Sequence, residues 1–472
     1  MKKMSELSVF QTLLTDAKLV GSGGVAFSRV HSDSRTIEKG DLFLALSGDR
    51  FDGSIFFDQA LSRGAVAIIC QNDSITMERL MLIGLPGLCV PNVKLALREL
   101  ASGWRKKFDL SLIAVTGSNG KTTVTQMIGA VFKKLHPDEC LVTEGNLNND
   151  IGLSLTLLRL RHHHRRAVVE LGMNHPGEIA PLAAMAQPKV ALLNNAQREH
   201  LEFMGTVQAV AEENGKVIES LPSDGTAVFP LDDVFTTQWL GLAKNKNILG
   251  FGVAANSKSM PNVTCLLSVW SHNFWRIQMN TPIGPLDFNL YIPGLHNVRN
   301  AMAATAGCLA IGLPLSVIAE GLQSFRPVKG RSQSFVMQLE RHQILVVDDT
   351  YNANPDSVKA AIEVLAGLPS PRLLVLGDMG EVGNQGEFFH WEVGVLANES
   401  GIESIFTLGE ASKDVAKSFK GARHFEDITQ LHHAMLNVLP QTGSLLVKGS
   451  RFMKMERVLE GLTNIVRMDR EV

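Results

Sequence analysis

The stretch Leu112-Ile-Ala-Val-Thr-Gly-Ser-Asn-Gly-Lys-Thr-Thr123 joins an apolar run to a glycine-containing turn and to the start of a helical pattern. This order is typical of a buried strand of a parallel sheet that leads through a tight loop into a helix. The N–H groups at the start of such a helix point at an anion, and the helix dipole favours negative charge. The stretch therefore predicts a site for the phosphates of ATP.

The residue types within this loop suit phosphate binding, although its spacing differs from the standard Walker pattern. That pattern places its first glycine five residues before the second, whereas Gly117 and Gly120 are three apart. Both glycines let the backbone approach a phosphate closely, Lys121 can reach the outer phosphates, and the Thr122 hydroxyl can bind Mg²⁺. The predicted ATP-binding residues of the loop are Gly117, Ser118, Asn119, Gly120, Lys121, Thr122 and Thr123.

Two further side chains come at the ends of predicted strands. Glu170 lies near the end of the apolar run at residues 167–171, and His200 lies shortly after the run at 190–194. Ligands of parallel sheets bind beyond the carboxyl ends of the strands, so both side chains should lie near the phosphates. A carboxylate and an imidazole can hold a divalent ion that bridges a phosphate and a second substrate. Taken alone, each is more typical of a structural residue; taken with the loop, Thr122, Glu170 and His200 are the predicted metal ligands.

The pattern of strands and helices divides the 472 residues into three blocks. Residues 1–106 contain two buried strands around a helix, and the boundary lies in the polar, basic segment 101–107. Residues 107–326 alternate strands with helices, which predicts a mostly parallel sheet, and a strand-rich stretch at 263–293 interrupts the alternation. Residues 327–472 contain four more buried strands between helices, typical of a smaller doubly wound sheet. The predicted fold is α/β, with a small α/β N-terminal domain, a central P-loop-type domain and a Rossmann-like C-terminal domain.

Composition argues against several classes of protein. The apolar fraction is 45%, the charged fraction is 19% and the formal net charge is -2, values close to those of ordinary globular proteins. With so little net charge, no general field attracts nucleic acid or an anionic membrane. The apolar stretch at 308–319 is interrupted by Gly312 and Pro314 and is too short to span a bilayer. We expect a cytoplasmic protein that binds no nucleic acid and does not insert into membranes.

A series of stretches, in order along the chain, resembles the motifs of the Mur ligase family. The phosphate loop at 116–122 is one of them, and its short glycine spacing is this family's own form. The others are Gly145-Asn-Leu-Asn-Asn-Asp-Ile-Gly152, Glu170-Leu-Gly172, Pro293-Gly-Leu-His-Asn-Val-Arg-Asn300, Lys329-Gly-Arg331, Asp348-Asp-Thr-Tyr-Asn-Ala-Asn-Pro355, Leu376-Gly-Asp-Met-Gly-Glu-Val-Gly383 and Val447-Lys-Gly-Ser-Arg451.

The resemblance implies a three-domain ligase that uses ATP and Mg²⁺. Within the family, the stretches at 351–355 and 377–381 are similar to those of the member that joins D-alanyl-D-alanine to UDP-N-acetylmuramoyl-tripeptide. In the implied reaction ATP phosphorylates the tripeptide carboxylate, and the amine of the dipeptide then displaces phosphate from the acyl phosphate. The first domain would hold the UDP-sugar peptide (UDP-MurNAc-tripeptide), the second ATP and the third the dipeptide, in a monomeric enzyme. Whether the third peptide residue is diaminopimelate or lysine stays open.

The resemblance also assigns roles to individual residues. The implied catalytic residues are Lys121, Glu170, His200, Arg331 and Asp349, the last two reaching from the third domain toward phosphate and ribose. The implied contacts are Asn297 and Asn300 with adenine, Ser32, Asp33, Ser34 and Arg35 with the nucleotide sugar, Asn148 and Asn149 with the UDP-sugar peptide, and Tyr351, Asn352 and Asn354 with the dipeptide.

One position departs from the family pattern. Many Mur ligases carry a lysine in the helix after the His200 position, and its carbamate binds a second Mg²⁺. Alignment through Ala211 and Gly215 places Asn214 there, and an asparagine has no amine to carbamylate. Our hypothesis is that Asn214 takes over the position through its carboxamide or a water. Lys216 is the alternative, although two residues on a helix are about 200° apart around the axis.

Other functions and other motifs remain alternatives. A GTP- or ATP-switched binding module is one, but the nearest string to a guanine motif, Asn245-Lys-Asn-Ile248, lacks the aspartate. A catalytically dead family member and a folylpolyglutamate synthetase are the others.

The run Arg161-His-His-His-Arg-Arg166 suggests a metal site, but adjacent histidines lack ligand geometry and a solvated loop is favoured. Trp270 and Trp275 are expected to pack in the core.

Overall fold

The structure, a computed structural model, describes residues 3–48, 52–253, 260–271, 273–339 and 342–468, with side chains described as far as residue 462. Over these ranges the strands form five sheets, two of them with six strands. None of the helices in the described ranges has the length and apolar character that a bilayer crossing would need.

The first block forms a five-stranded sheet beside a two-stranded one. Its strands are β1 (Ser5–Glu6), β2 (Lys18–Val20), β3 (Ala26–Phe27), β4 (Arg29–His31), β5 (Asp41–Leu44), β6 (Ala67–Gln71) and β7 (Gly87–Val90), and its helices are α1 (Leu7–Gln11), α2 (Phe57–Ser62), α3 (Ser74–Ile83) and α4 (Val93–Arg105). The larger sheet has the order β2-β7-β6-β5-β4, and only β2 runs antiparallel to its neighbour. The two buried strands predicted from apolar runs are β5 and β6.

Helix α4 links the first block to the central block. The segment 101–107, which its polar residues suggested as a junction, forms the end of this helix and is buried on one side. Trp104 Nε1 donates to the backbone oxygen of Leu160 at 3.1 Å, and the Arg105 guanidinium donates to those of Ala186 and Gln187. One continuous apolar core therefore includes side chains from both blocks.

The central block contains the predicted parallel sheet. Its strands are β8 (Ser111–Thr116), β9 (Cys140–Val142), β10 (Arg166–Glu170), β11 (Val190–Leu193), β12 (Thr226–Val228) and β13 (Asn247–Ile248), and its helices are α5 (Lys121–Leu135), α6 (Asp150–Leu157), α7 (Ile179–Ala186), α8 (Leu201–Met204), α9 (Val207–Glu219) and α10 (Thr236–Leu242). The order is β13-β12-β11-β8-β10-β9, with every pair parallel. Because β8 lies between β10 and β11, the phosphate loop sits at the centre of one sheet edge.

An antiparallel sheet and two helices complete this block. They are β14 (Thr264–Ser271), β15 (Phe274–Thr281), β16 (Gly284–Leu290), α11 (Leu295–Ala310) and α12 (Leu315–Ser324). Both helices pack against α5 and close a second apolar core. The expectation of core tryptophans is only partly right. Trp275 is half-buried against this core, whereas Trp270 lies outside it and contacts the tilted Trp275 ring with ring centroids 5.3 Å apart.

The third block is the predicted doubly wound domain. Its strands are β17 (Gln333–Leu339), β18 (His342–Asp349), β19 (Arg372–Gly377), β20 (Ser404–Leu408), β21 (Arg423–Phe425) and β22 (Ser444–Lys448), and its helices are α13 (Pro355–Ala366), α14 (Gly386–Glu399), α15 (Ile428–Val438) and α16 (Glu456–Met468). The order is β17-β18-β22-β19-β20-β21, and only β17 is antiparallel. Apolar cores cover both faces of the sheet, as in other doubly wound folds.

Candidate active site

One large cavity opens where the three blocks meet. Its volume is about 1900 Å³, and its lining includes Lys94 and Arg98 of α4, the phosphate loop, and Arg331 and Tyr351 of the third block. Nearly all predicted site residues of the central and third blocks contribute to this lining. Side chains distant in sequence therefore meet in one space, which is large enough for a nucleotide and other small molecules.

The phosphate loop has the backbone that close approach to an anion requires. Gly117 and Gly120 have φ values of 123° and 80°, which side-chain-bearing residues rarely adopt. A Cβ at Gly120 would also collide with Asn300 of α11. Helix α5 begins directly after Gly120 and has no side-chain cap, so its first N–H groups face the cavity without a capping partner. A phosphate is the natural acceptor for these groups.

Lys121 lies folded over its own loop. Its Nζ donates to the backbone oxygens of Gly117 and Ser118 at 2.6 and 2.9 Å, and to Glu199 Oε1 at 2.6 Å. Glu199 lies in the segment after β11 and is 6% exposed. An ammonium has only three N–H donors, so all of those on Lys121 are engaged.

Thr122 and Glu170 are buried neighbours in the cavity lining. The Thr122 hydroxyl donates to Glu170 Oε2 at 2.8 Å, and Asn148 Nδ2 donates to Glu170 Oε1 at 2.7 Å. Glu170 is 1% exposed. The predicted neighbourhood of Thr122 and Glu170 is thus present, and Asn148 orients the carboxylate.

His200 is held between two carboxylates at the other side of the loop. Its Nδ1 lies 2.5 Å from Glu381 Oε2 of the third block, and its Nε2 lies 3.5 Å from Glu199 Oε1. Burial alone would lower the pKa of His200, but Glu199 and Glu381 outweigh it and raise the pKa to about 9. In this arrangement the ring is an imidazolium, whereas metal binding requires its neutral form.

Asn214, for which our hypothesis was a metal-binding position through its carboxamide or a water, is hydrogen-bonded to protein groups in this structure. Its Oδ1 accepts hydrogen bonds from Thr116 Oγ1 at 2.6 Å and Gly117 N at 3.0 Å, and its Nδ2 donates to Val210 O at 3.0 Å. The residue is 1% exposed and is not part of the cavity lining. Its carboxamide instead braces the start of the phosphate loop against α9. The alternative, Lys216, is exposed and pairs with Glu219 at 2.8 Å.

A chain of asparagine side chains connects α11 to the phosphate loop. Asn300 Nδ2 donates to Asn297 Oδ1 at 2.9 Å, and Asn194 Nδ2 donates to Asn300 Oδ1 and to Asn119 O, both at 2.8 Å. Asn297 and Asn300, expected near adenine, line the cavity and are almost fully buried. Asn194 was missed as a site residue because the sequence showed it only as the end of a strand.

The third block brings its own polar groups to the cavity. Asp349 pairs with Lys448 Nζ at 2.6 Å, and the Arg331 guanidinium stacks over the Tyr351 ring at 4.0 Å. Asn352 accepts a hydrogen bond from Lys448 through its backbone oxygen. The predicted residues of this block are therefore together, and Lys448, which lies in a quoted motif without an assigned role, joins them.

Two predicted substrate contacts have structural duties in addition. Asn354 caps α13, and its amide pairs with Asn119 of the phosphate loop, with Nδ2 donating to Asn119 Oδ1 at 2.9 Å. Asn149 caps α6 by accepting from Gly152 N. Both line the cavity. Capping and a cavity position are compatible, because each side chain lies at the start of a helix beside the cavity.

Ser32, Asp33, Ser34 and Arg35 are not part of the main cavity lining. Asp33 accepts from Arg35 N and pairs with its guanidinium at 2.8 Å, and these bonds lower the pKa of Asp33 to about 2. Ser34 is buried and donates to Gln59. The structure thus separates this loop from the other predicted site residues.

The histidine run at 161–166 forms the turn between α6 and β10. His162 and His163 are exposed, as expected of a solvated loop. Arg161 is different: its guanidinium donates to the backbone oxygens of Ser28, Leu158 and Leu160. This arginine contributes to the contact between the first and central blocks.

The residues of the site are suited to a divalent cation, although they do not form a complete metal centre. Thr122 and Glu170 offer hard oxygen ligands, and Glu199 Oε2 is buried and receives no hydrogen bond from any described residue. Within the described ranges, no group of three or more His, Cys, Asp or Glu side chains has metal-site geometry. Mg²⁺ is commonly held by one or two carboxylates together with substrate phosphates, and the groups present agree with that mode.

Three family models match successive parts of this chain. The Mur ligase family, catalytic domain model matches residues 27–105, the Mur ligase middle domain model 115–308, and the Mur ligase, glutamate ligase domain model 330–451.

Individual relatives extend over almost the full length. The UDP-N-acetylmuramoyl-tripeptide–D-alanyl-D-alanine ligase of Escherichia coli K12 is 37% identical over 97% of this chain and 98% of its own. The crystal structure of MurF from Acinetobacter baumannii matches with a TM-score of 0.88 and 32% identity, covering 98% of this chain and 99% of that one. MurF ligase from Thermotoga maritima, solved in complex with ADP, gives a TM-score of 0.79 and 26% identity, covering 93% and 98%.

Proposed function

The chain belongs to the Mur ligase family, and on that premise we propose that it joins D-alanyl-D-alanine to UDP-N-acetylmuramoyl-tripeptide with hydrolysis of ATP. The observation that carries the proposal is the cavity of about 1900 Å³ at which all three blocks contribute polar side chains. A reaction of three substrates needs such a shared space. The product is the pentapeptide precursor of peptidoglycan.

The proposed division of labour follows the blocks. Residues 1–106 would bind the UDP-sugar peptide, 107–326 the ATP, and 327–472 the dipeptide. In the first block, the loop 32–35 would contact the nucleotide sugar away from the main cavity, and Asn148 and Asn149 would contact the peptide part. Asn297 and Asn300 would face the adenine, and Tyr351, Asn352 and Asn354 the dipeptide. We further propose a monomer that works in the cytoplasm, without nucleic acid or membrane insertion.

In the first step, an oxygen of the tripeptide carboxylate attacks the γ-phosphorus of ATP and ADP leaves. Such a transfer needs positioned cations rather than a protein nucleophile. Lys121 and the N–H groups at the start of α5 would hold the phosphates, and Arg331 would approach them from the third block. Thr122, Glu170 and the neutral form of His200 would hold Mg²⁺, which supplies charge neutralisation when bound.

In the second step, the free amine of the dipeptide attacks the acyl carbon. The carbon–nitrogen bond forms, the bond to the phosphate oxygen breaks, and the amine loses a proton. Asp349 is placed by Lys448 at the third block's side of the cavity. Its proposed role is to orient the substrates and not to form a covalent intermediate.

The test is ADP release measured with the UDP-sugar tripeptide, with and without D-alanyl-D-alanine. We expect release that requires both substrates, and a fall of at least about a hundredfold in Lys121→Met. A dead family member or a nucleotide-switched binding module would show no dipeptide-dependent release. Release with folate and glutamate in place of these substrates would identify a folylpolyglutamate synthetase. Comparing tripeptides with diaminopimelate and lysine settles the third residue.

A further inference from the structure

Glu199 lines the cavity, and neither the sequence motifs nor the proposed mechanism assigns it a role. It is 6% exposed, and its Oε1 accepts a hydrogen bond from Lys121 Nζ at 2.6 Å. Its Oε2 is buried and has no donor among the described residues. A carboxylate that is buried and only half-satisfied is costly to keep unless it has a task.

The ion pair with Glu199 engages the ammonium group of Lys121, which is the cation expected to contact the phosphates. The three N–H donors of Lys121 go to Gly117 O, Ser118 O and Glu199 Oε1. Any phosphate contact must therefore replace one of these bonds. The Glu199 contact is the one with a charged partner, and a phosphate beside it would be repelled by the same carboxylate.

Release of Lys121 deprives the buried Glu199 carboxylate of a cation 2.6 Å away. The remaining cation beside Glu199 among the described residues is His200, which lies 3.5 Å away and is shared with Glu381 of the third block. A buried carboxylate that keeps only this shared partner is strongly unfavourable next to polyphosphate. A divalent cation that enters with the nucleotide would compensate the negative charge of the Glu199 carboxylate and that of the phosphates.

We propose that Glu199 is a positioning residue that holds Lys121 in the nucleotide-free protein and makes tight nucleotide binding depend on Mg²⁺. The carboxylate exchanges its partner, from the Lys121 ammonium to the metal–nucleotide complex. The inference rests on the proposed ATP site, and it assigns to this chain a charged group that controls access to that site.

The test is calorimetric titration of ATP in the absence of the other substrates, once with EDTA and once with Mg²⁺. Without Mg²⁺, Glu199→Gln should bind ATP about tenfold more tightly than the unaltered protein, because the repelling charge is gone. With Mg²⁺, the two dissociation constants should agree within about threefold. The matched control is Glu202→Gln, an exposed glutamate outside the cavity lining, which should behave as the unaltered protein in both conditions.

The outcomes separate this inference from the proposed function. Equal metal-free affinities for Glu199→Gln and the unaltered protein overturn the inference, as does equal tightening in Glu202→Gln. If circular dichroism shows that Glu199→Gln does not fold, Glu199→Ser removes the same charge and must give the same result. If the unaltered protein binds no ATP even with Mg²⁺, the proposed ATP site itself fails.

Discussion

The two junctions of the central block are built from different chemistry. Toward the first block, α4 and its neighbours form one continuous apolar core, with Trp104 inside it. Toward the third block the contacts are mostly polar: Arg198 binds Asp356 and Glu392, Asn119 pairs with Asn354, and His200 lies beside Glu381.

The difference indicates which parts of the molecule can separate. Opening the apolar junction exposes hydrocarbon to water, which costs about 25 cal/mol for each Å². Polar groups at the other junction can exchange their partners for water at little net cost. The third block is therefore the one expected to move when substrates enter and products leave.

The largest effect is expected from breaking the apolar junction at Trp104. Trp104→Ala removes a side chain that is 5% exposed and its hydrogen bond to Leu160 O. The free energy of unfolding in urea should fall by about 3–5 kcal/mol. The matched control is Trp391→Ala on α14, where the ring is 41% exposed and the loss should be about 1 kcal/mol or less. Similar losses for both would mean that Trp104 is not a core contact.

A buried polar contact within the central block should come next. Asn214→Ala leaves the Thr116 hydroxyl and Gly117 N–H without their acceptor, and stability should fall by about 1–3 kcal/mol. Calorimetry should also show weaker ADP binding, because the phosphate loop loses its brace. Lys216→Ala, an exposed change on the same helix, should alter neither quantity. Loss of ADP binding in Lys216→Ala alone would restore that lysine as a site residue.

The polar junction should weaken without unfolding the protein. Arg198→Ala removes bonds of 2.8 Å to Asp356 and 2.7 Å to Glu392, yet it should cost only about 1 kcal/mol of stability because these pairs are partly solvated. The radius of gyration of the Arg198→Ala variant, measured by small-angle X-ray scattering, should exceed that of the unaltered protein. Arg372→Ala, which breaks an ion pair with Glu403 inside the third block, should keep the original radius.

The smallest effect concerns the amide pair that joins the phosphate loop to α13. A double-mutant cycle of Asn119→Ala and Asn354→Ala should give a coupling energy of about 0.5 kcal/mol in thermal unfolding. Coupling should increase when Mg²⁺ and ATP are added, if nucleotide draws the two blocks together. A coupling energy that is zero in both conditions would show that the pair does not hold the junction.

The sequence predicted most of the fold because apolar strands and helices with clear periods follow local rules. The strands that carry the phosphate loop and Glu170 were found within one residue of their structural positions. Trp270 was misplaced because an antiparallel sheet with one exposed face offers large side chains a position outside the core.

The sequence supplied candidate site residues where a motif gives a local signal, and it supplied none where a pairing is made only by the fold. Lys121 was identified from its loop, but its partner Glu199 is 78 residues away and follows no motif. Asn214 was noticed because it departs from the family pattern. Its two hydrogen-bond donors lie 97 and 98 residues away on the phosphate loop, so only the folded structure shows that it supports this loop. Contacts between blocks, such as His200 with Glu381, have the same origin.

Helix α4 also bears on how the chain reaches its fold during synthesis. Its apolar side is completed by α6 and α7, which lie more than 40 residues further along the chain. When the first block leaves the ribosome, the part of α4 that packs on α6 and α7 is still uncovered, and it stays exposed to water until the middle of the central block has been made. Translation pauses in this interval would prolong the exposure of an aggregation-prone apolar surface. A chaperone that binds apolar helices is therefore expected to act mainly at this stage.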